Sequence, residues 1–422
     1  MAGSGPRNED ETDIMRTSRR PFSVAVTWAA TRYLLLLCVF KVLTLPGPDV
    51  TSDVHVIYQG WSQVLWTGTY PLDDVTWQYP PAAALAILSP AALPFLPYAS
   101  AFFVLVLLAD ALVFALLMYA GGRPGKSLNG AWVWTLGVPL LGPTAYARYD
   151  LMVTAVAVAA LLAGVRHPRV LGALAAFGAL LKVWPVLLLV RAPRRSWATA
   201  VVTAAALLAA CVAAAPGALA FLTFQRERGT EVESLGALVF QVARHFGWRG
   251  RVQLNYGSVE FLGPYVPVVS ALAMALTALA FGWLLLWRLR VRGPGRPSTP
   301  ADAAFTAMLL FTTTSRVISP QYLLWLIGLA AVCLAFRRSP MTRPAQLVLA
   351  ATAVTFLEFP IWFSHVVSGD WLGLLLLTTR NGLLVAASLL ACRSLWSSTS
   401  RSRNLPPLPV QPTRATASSA TR

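Results

Sequence analysis

Charge is what this sequence has least of. Only 12% of its 422 residues are Asp, Glu, Lys or Arg, against about 25% in an ordinary soluble domain. Acids are the scarcer sign: 17 stand against 34 basic residues, for a formal net charge of +17. Cysteine is also sparse. Cys38, Cys211, Cys333 and Cys392 lie in or beside apolar runs with no ligand-like spacing, which argues against a disulfide framework or a zinc site. No cofactor and no metal are expected. No internal repeat is apparent, which counts against transporters built from duplicated halves. What the sequence does have is apolar surface. At 56% hydrophobic residues and a mean hydropathy of +0.61, it reads as a polytopic membrane protein.

The positive charge is distributed as topology rather than as a nucleic-acid footprint. Lys and Arg fall mostly in short clusters between apolar runs, around Arg20, Arg123, Arg166, Arg194, Arg290 and Arg337 and in the tail from Arg393. Placing these clusters in the cytoplasm satisfies the positive-inside rule. No basic face with interleaved aromatics is present, so no nucleic-acid partner is expected. The polar start and the long apolar run after it read as an uncleaved first span. Residues 1–21 are then a cytoplasmic tail, and 22–396 form an all-α bundle of about 10–12 transmembrane helices. Residues 397–422, rich in Pro, Ser and Thr, form a disordered cytoplasmic tail.

Three segments depart from simple crossings. The apolar piece 82–95 contains Pro90 and is too short to span, so it is expected to be a half-membrane or interfacial helix. Between the clusters at Arg169 and Arg191 lies either one span or a pair of short helices meeting near Lys182, the pair being favoured. In the outer loop 216–264, Leu235, Leu238, Val239, Val242 and Phe246 share a helical face opposite Gln241 and Arg244, as in a helix lying on the membrane.

The first outer loop, 46–81, gathers four acids, Asp49, Asp53, Asp73 and Asp74, among Trp, Tyr and Pro. Asp53 opens a segment with Val54, Ile57, Trp61 and Leu65 on one face. At the N-terminus of such an interfacial helix the dipole favours an ionised carboxylate. That carboxylate is either a general base for an acceptor hydroxyl or a plain N-terminal helix acid. Lys182, Arg316 and Arg380 stand in apolar surroundings, where a charge costs on the order of 2.5–3.5 kcal/mol on insertion scales. They are either internally paired or functional.

Several motifs occur in one order: Asp53 to Tyr58, Gly68 to Pro71, Tyr79-Pro80-Pro81, Arg148-Tyr149-Asp150, Lys182-Val183-Trp184-Pro185, Arg228-Gly229 with Glu233-Ser234, and Arg316 to Tyr322 followed by Trp325. In that order and on this topology they resemble glycosyltransferase family 87, membrane enzymes of the GT-C type that use polyprenyl-phosphate sugars. The resemblance implies inverting transfer of a hexose, mannose being the expected sugar, to a glycolipid or cell-envelope glycan. The reaction would occur at the outer face of the plasma membrane, with membrane lipid around it. It implies Asp53 as catalytic base and Asp150 as a second catalytic acid. Lys182, Arg228, Arg316, Glu233, Gln321, Tyr322, Tyr58 and Tyr79 become candidate substrate contacts. Some mannosyl-transferring members carry paired histidines after Ser-Pro, whereas here Ser319-Pro320 is followed by Gln321-Tyr322. A lipid or glycan flippase is the rival reading. It would need charges along a path through the bilayer, whereas these concentrate on one side.

Overall fold

The computed structural model describes residues 8–226, 229–291 and 295–401. The helices in its first half are α1 (Asn8–Val39), α2 (Gln59–Trp66), α3 (Ala83–Leu88), α4 (Tyr98–Gly121), α5 (Asn129–Leu140), α6 (Asp150–Gly164), α7 (Pro168–Leu181) and α8 (Arg194–Ala214). The second half adds α9 (Phe221–Arg226), α10 (Ala237–Arg244), α11 (Val266–Arg290), α12 (Thr299–Thr314), α13 (Tyr322–Leu334), α14 (Thr342–Phe356), α15 (Phe363–Ser368) and α16 (Trp371–Arg401). Among the described residues six helical stretches are long and apolar enough to cross a membrane, five within α1, α4, α8, α11 and α16 and one running from the start of α14 on to Ile361. The chain is therefore an all-α, multi-pass membrane protein.

Burial sorts the helices into two shells. In α8 and α11 most apolar side chains are exposed, as suits helices facing lipid. Of the 13 residues of α13, 11 are buried, so this helix runs through the middle of the bundle. It approaches its neighbours closely where glycine permits: a Cβ at Gly328 would overlap the Thr154 methyl of α6, and one at Gly137 of α5 would press on Ile327. The expected short elements are present. Segment 82–95 forms only α3 and a 3-10 turn, Ser89–Ala92, and α7 stops at Leu181 before a second 3-10 turn, Trp184–Leu189.

One buried polar knot lies in the bundle interior. Arg32 of α1 forms a forked pair with Asp110 of α4, Nε to Oδ2 at 2.7 Å and Nη2 to Oδ1 at 3.2 Å. Its remaining donors reach the Thr135 and Trp134 carbonyls of α5. Asp110 also accepts from Trp134 Nε1 and Tyr146 Oη, each at 2.6 Å. A buried pair is tolerable when its lone pairs and protons are satisfied in this way, and here it ties three helices together.

The segment before α11 is more structured than the sequence suggested. Strands β1 (Thr230–Glu231), β2 (Arg251–Asn255) and β3 (Ser258–Leu262) form an antiparallel sheet in the order β1-β3-β2. The β2–β3 turn has Tyr256 and Gly257 at φ 48° and 74°, the two positive values that a type I′ hairpin requires. Gln78 of the first loop donates to the Tyr256 carbonyl at 2.8 Å, so the hairpin is pinned to it. The helix expected there is α10. Val239, Val242 and Phe246 are exposed, while Gln241 and Arg244 turn inward to the carbonyls of Val366 and Val367. An exposed apolar face on a short helix suits contact with lipid.

Candidate active site

The site forms where three short helices begin or end. Asp150 occupies the first turn of α6, directly after Arg148 and Tyr149. Helix α7 ends at Leu181 because Pro185 has no N–H to offer the Leu181 carbonyl. The Tyr149 hydroxyl donates to that carbonyl at 3.3 Å instead. The break leaves Lys182 extended, at φ −159° and ψ 130°, and turns its side chain back toward α6.

Lys182 Nζ lies 2.7 Å from Asp150 Oδ1, which also accepts from Trp325 Nε1 at 2.8 Å. Asp150 Oδ2 is buried with no hydrogen-bond partner among the described residues. Four rings surround the ammonium: Trp325 at 5.0 Å, Tyr79 and Tyr149 at 5.3 Å, and Tyr322 at 5.9 Å. At these distances each ring face attracts the cation. The Tyr322 ring stacks on Trp325 at 3.9 Å, and Trp184 stacks on it at 5.4 Å.

Asp53 opens a π turn, Asp53–Tyr58, that runs into α2. Its carboxylate has a partner that the sequence did not name. Oδ2 pairs with Arg148 Nη2 at 2.8 Å, and Arg148 Nη1 donates to the carbonyls of Val50 and Ala147. Asp53 is 30% exposed, whereas Asp150 is 1% exposed. The other loop acids are otherwise occupied or peripheral. Asp49 caps Thr51 and pairs with Lys41; Asp74 accepts from Trp61 Nε1 and from Thr76; Asp73 is exposed. Tyr58 is buried beneath the site, its ring against Trp61, Phe102 and Tyr149. Tyr79, half-buried, packs edge-on to Tyr149 at 5.3 Å.

A second acidic cluster adjoins the first through the loop between α12 and α13. Arg380 grips Glu358 with two donors, Nη2 to Oε1 at 2.7 Å and Nε to Oε2 at 3.0 Å, and donates to the Glu233 carbonyl at 3.0 Å. Burial, then repulsion from Glu358 and Glu231, pushes the Glu233 carboxyl well above its ordinary 4.5, against the pull of Arg380. Ser319 donates to Glu231 Oε1 at 3.1 Å, and the Arg316 carbonyl accepts from the Glu231 N–H at 3.0 Å. Three residues further along, Tyr322 reaches the Lys182 box. Gln321 stands at the N-cap position of α13, with no capping hydrogen bond from its side chain, and is half-buried. Arg228 lies outside the described residues.

Of the residues expected from sequence, Asp53, Tyr58, Tyr79, Asp150, Lys182 and Tyr322 thus come together, with Glu233 and Arg316 beside the Ser319 loop. Arg148, Tyr149, Trp184 and Trp325 belong to the same constellation although only their motifs, not their roles, were legible. Arg380 is internally paired, one of the two readings its apolar surroundings left open, but its partner Glu358 was not foreseen. The pair's signal was two charges isolated in apolar sequence.

A family model described as glycosyltransferase family 87 matches residues 77–320, more than half of the chain. The match takes in Tyr79, the Arg148–Asp150 run, Lys182, Glu233 and Arg316, and begins after Asp53. No curated protein matches the chain.

Proposed function

The chain belongs to glycosyltransferase family 87, and from that premise we propose that it moves a hexose, mannose being the expected sugar, from a polyprenyl-phosphate carrier to a glycolipid or cell-envelope glycan. We assign the reaction to the extracytoplasmic face of the plasma membrane, with inversion, and Asp53 as general base.

The observation that carries this reading is the contrast between the two carboxylates of the constellation. Asp150 is sealed against Lys182 and Trp325, whereas Asp53 is 30% exposed. An acceptor hydroxyl can reach Asp53. In the reaction the hydroxyl gives its proton to the Asp53 carboxylate while its oxygen attacks the anomeric carbon opposite the phosphate. The bond from that carbon to the phosphate oxygen breaks, and the polyprenyl monophosphate leaves with an added negative charge. Cations placed where that charge grows lower the barrier, and Arg148, Lys182, Arg228 and Arg316 are the candidates. Asp150 positions Lys182. A donor phosphate that engages Arg148 draws it away from Asp53, so donor binding frees the base. Glu233, whose carboxyl burial pushes toward the protonated form, is a candidate contact for a sugar or acceptor hydroxyl.

The test is Asp53→Asn in proteoliposomes supplied with polyprenyl-phosphate mannose and a crude membrane acceptor. Transfer is expected to fall about a hundred- to ten-thousandfold, the range for a lost general base, while donor binding persists. Undiminished transfer would remove Asp53 from the mechanism. Lipid scrambling by the wild type without any sugar transfer would favour a flippase.

A further inference from the structure

The helices that carry the candidate active site at one end carry a different feature at the other. Phe102 and Phe103, near the start of α4, pack on Tyr58 and His55, and Arg123 follows the end of that helix. Helix α6 begins with Asp150 and is followed by Arg166, and α13 begins at Tyr322 and is followed by Phe336, Arg337 and Arg338. At 24 residues, α4 alone separates the two ends by roughly 36 Å.

At this far end residues from four connections line a cavity of about 1060 Å³. Six cations line it: Arg123, Lys126, Arg166, Arg296, Arg337 and Arg338. Among the described residues, no acid is in the lining. Asp302, in the first turn of α12, is buried and accepts a hydrogen bond from Ser339 at 2.6 Å. The cavity wall between the helices is aliphatic, with Leu116, Leu162 and Leu174.

Topology signalling alone asks only that such cations be on one side of the membrane. It does not ask that four separate connections bring them to one hollow, nor that the hollow be rigid. Here the 122–128 connection is pinned to the end of α13. Ser127 N–H donates to the Ala335 carbonyl at 2.9 Å, Arg337 N–H to the Gly125 carbonyl at 3.3 Å, and Arg337 Nε to the Lys126 carbonyl at 2.6 Å. Lys126 Nζ sits over the Phe336 ring at 2.9 Å, and burial lowers its ammonium to about 8.

We propose that this cavity is a binding site for an anionic phospholipid of the leaflet at that end, its phosphate held by the six cations and its acyl chain along the aliphatic wall. Guanidinium groups match phosphate oxygens in a planar fork, and a basic hollow between transmembrane helices at the expected cytoplasmic end fits a charged headgroup. An apolar wall continuous with the pocket gives the tail a place that free phosphate would not need. The site stands apart from sugar transfer and does not depend on it.

The probe is phosphatidylglycerol, titrated into delipidated full-length protein in detergent and followed by native mass spectrometry. Phosphatidylcholine, inorganic phosphate and three variants serve as comparisons. One phosphatidylglycerol is expected to be retained per chain, and phosphatidylcholine weakly. Neutralising Arg123→Gln, Arg166→Gln and Arg296→Gln together should weaken phosphatidylglycerol about a hundredfold, as loss of three surface cations predicts. These side chains are exposed, so the fold should tolerate the change. The charge-keeping set Arg123→Lys, Arg166→Lys and Arg296→Lys should bind more tightly than the neutral set but less tightly than the wild type, since it keeps the charge and loses the fork, and Arg343→Gln, which lies off the cavity, should bind as the wild type does. Equal binding of the two lipids by the wild type would overturn the proposal even if the neutral variant did not fold. So would an unaltered affinity in that variant, and full displacement of the lipid by inorganic phosphate would make the ligand a soluble anion instead.

Discussion

Replacing Lys182 with Met separates what the Lys182–Asp150 pair does for the fold from what it does for the reaction. Asp150 is 1% exposed and Lys182 13%, and their contact is 2.7 Å. Without the ammonium, the carboxylate keeps only the Trp325 N–H at 2.8 Å, with Oδ2 already unpartnered among the described residues. Breaking a buried pair by removing one partner costs about 3–5 kcal/mol. The partial exposure of Lys182 places this case near 3 kcal/mol. Asp150→Asn beside Lys182→Met removes the stranded charge and leaves the Trp325 hydrogen bond an acceptor. The double variant should then be more stable than Lys182→Met alone, with a coupling of about 2 kcal/mol, well above the few tenths seen between independent sites. Thermal unfolding of the three variants in one detergent gives the cycle, and sugar transfer is read on the same samples. Stability should return in the double variant and transfer should not, because the cation is still missing. Additive losses of stability would show that the pair is not coupled. Recovery of transfer with stability would show that Lys182 serves the fold alone.

Two further outcomes follow from buried charges elsewhere. Arg32→Met strands Asp110 at the junction of α1, α4 and α5, and should lower stability by about 3–5 kcal/mol; an unchanged melting temperature would mean that the junction is held by packing alone. Glu233, whose carboxyl is raised above 4.5, binds a proton when folded that it loses when unfolded. Its contribution is whole below the unfolded value and fades as pH rises through the folded one. Glu233→Gln should flatten that decline in melting temperature on the alkaline side of 4.5, and wild-type and variant curves that run parallel would refute it.

What could be read in the sequence was local. The Lys182-Val183-Trp184-Pro185 run announced a helix end because proline cannot continue the ladder, and the face of α10 showed in residue spacing. Asp53 stood out from its loop because it opens an amphipathic segment. The partners of these groups were not legible. Arg32 and Asp110 are 78 residues apart, and nothing in the spacing of either charge names the other. The same holds for Arg148 with Asp53 and for Arg380 with Glu358. Each is a charge the apolar surroundings make costly, and only the packing of separate helices shows how the cost is offset. The hairpin was missed for a different reason. Its Asn255-Tyr256-Gly257-Ser258 turn carries a usable signal, but it lies in a loop where helical spacing is the more conspicuous pattern.

The two ends of the bundle then differ in a way that bears on their ligands. At the Asp53 end, Arg148 is paired with Asp53, Lys182 with Asp150 and Arg380 with Glu358. A phosphate that takes one of these cations must displace a carboxylate, so its gain is the difference between two similar contacts. Binding of that kind is conditional and reversible, as turnover of a charged donor requires. At the other end six cations face a cavity with no acid in its lining among the described residues, and a phosphate there meets attraction without exchange. Since α4, α6 and α13 run between both, a lipid seated at the basic end would brace the same helices that set Asp150, Tyr322 and Trp325 in place. The arrangement favours a ligand that comes and goes at one end and one that stays at the other.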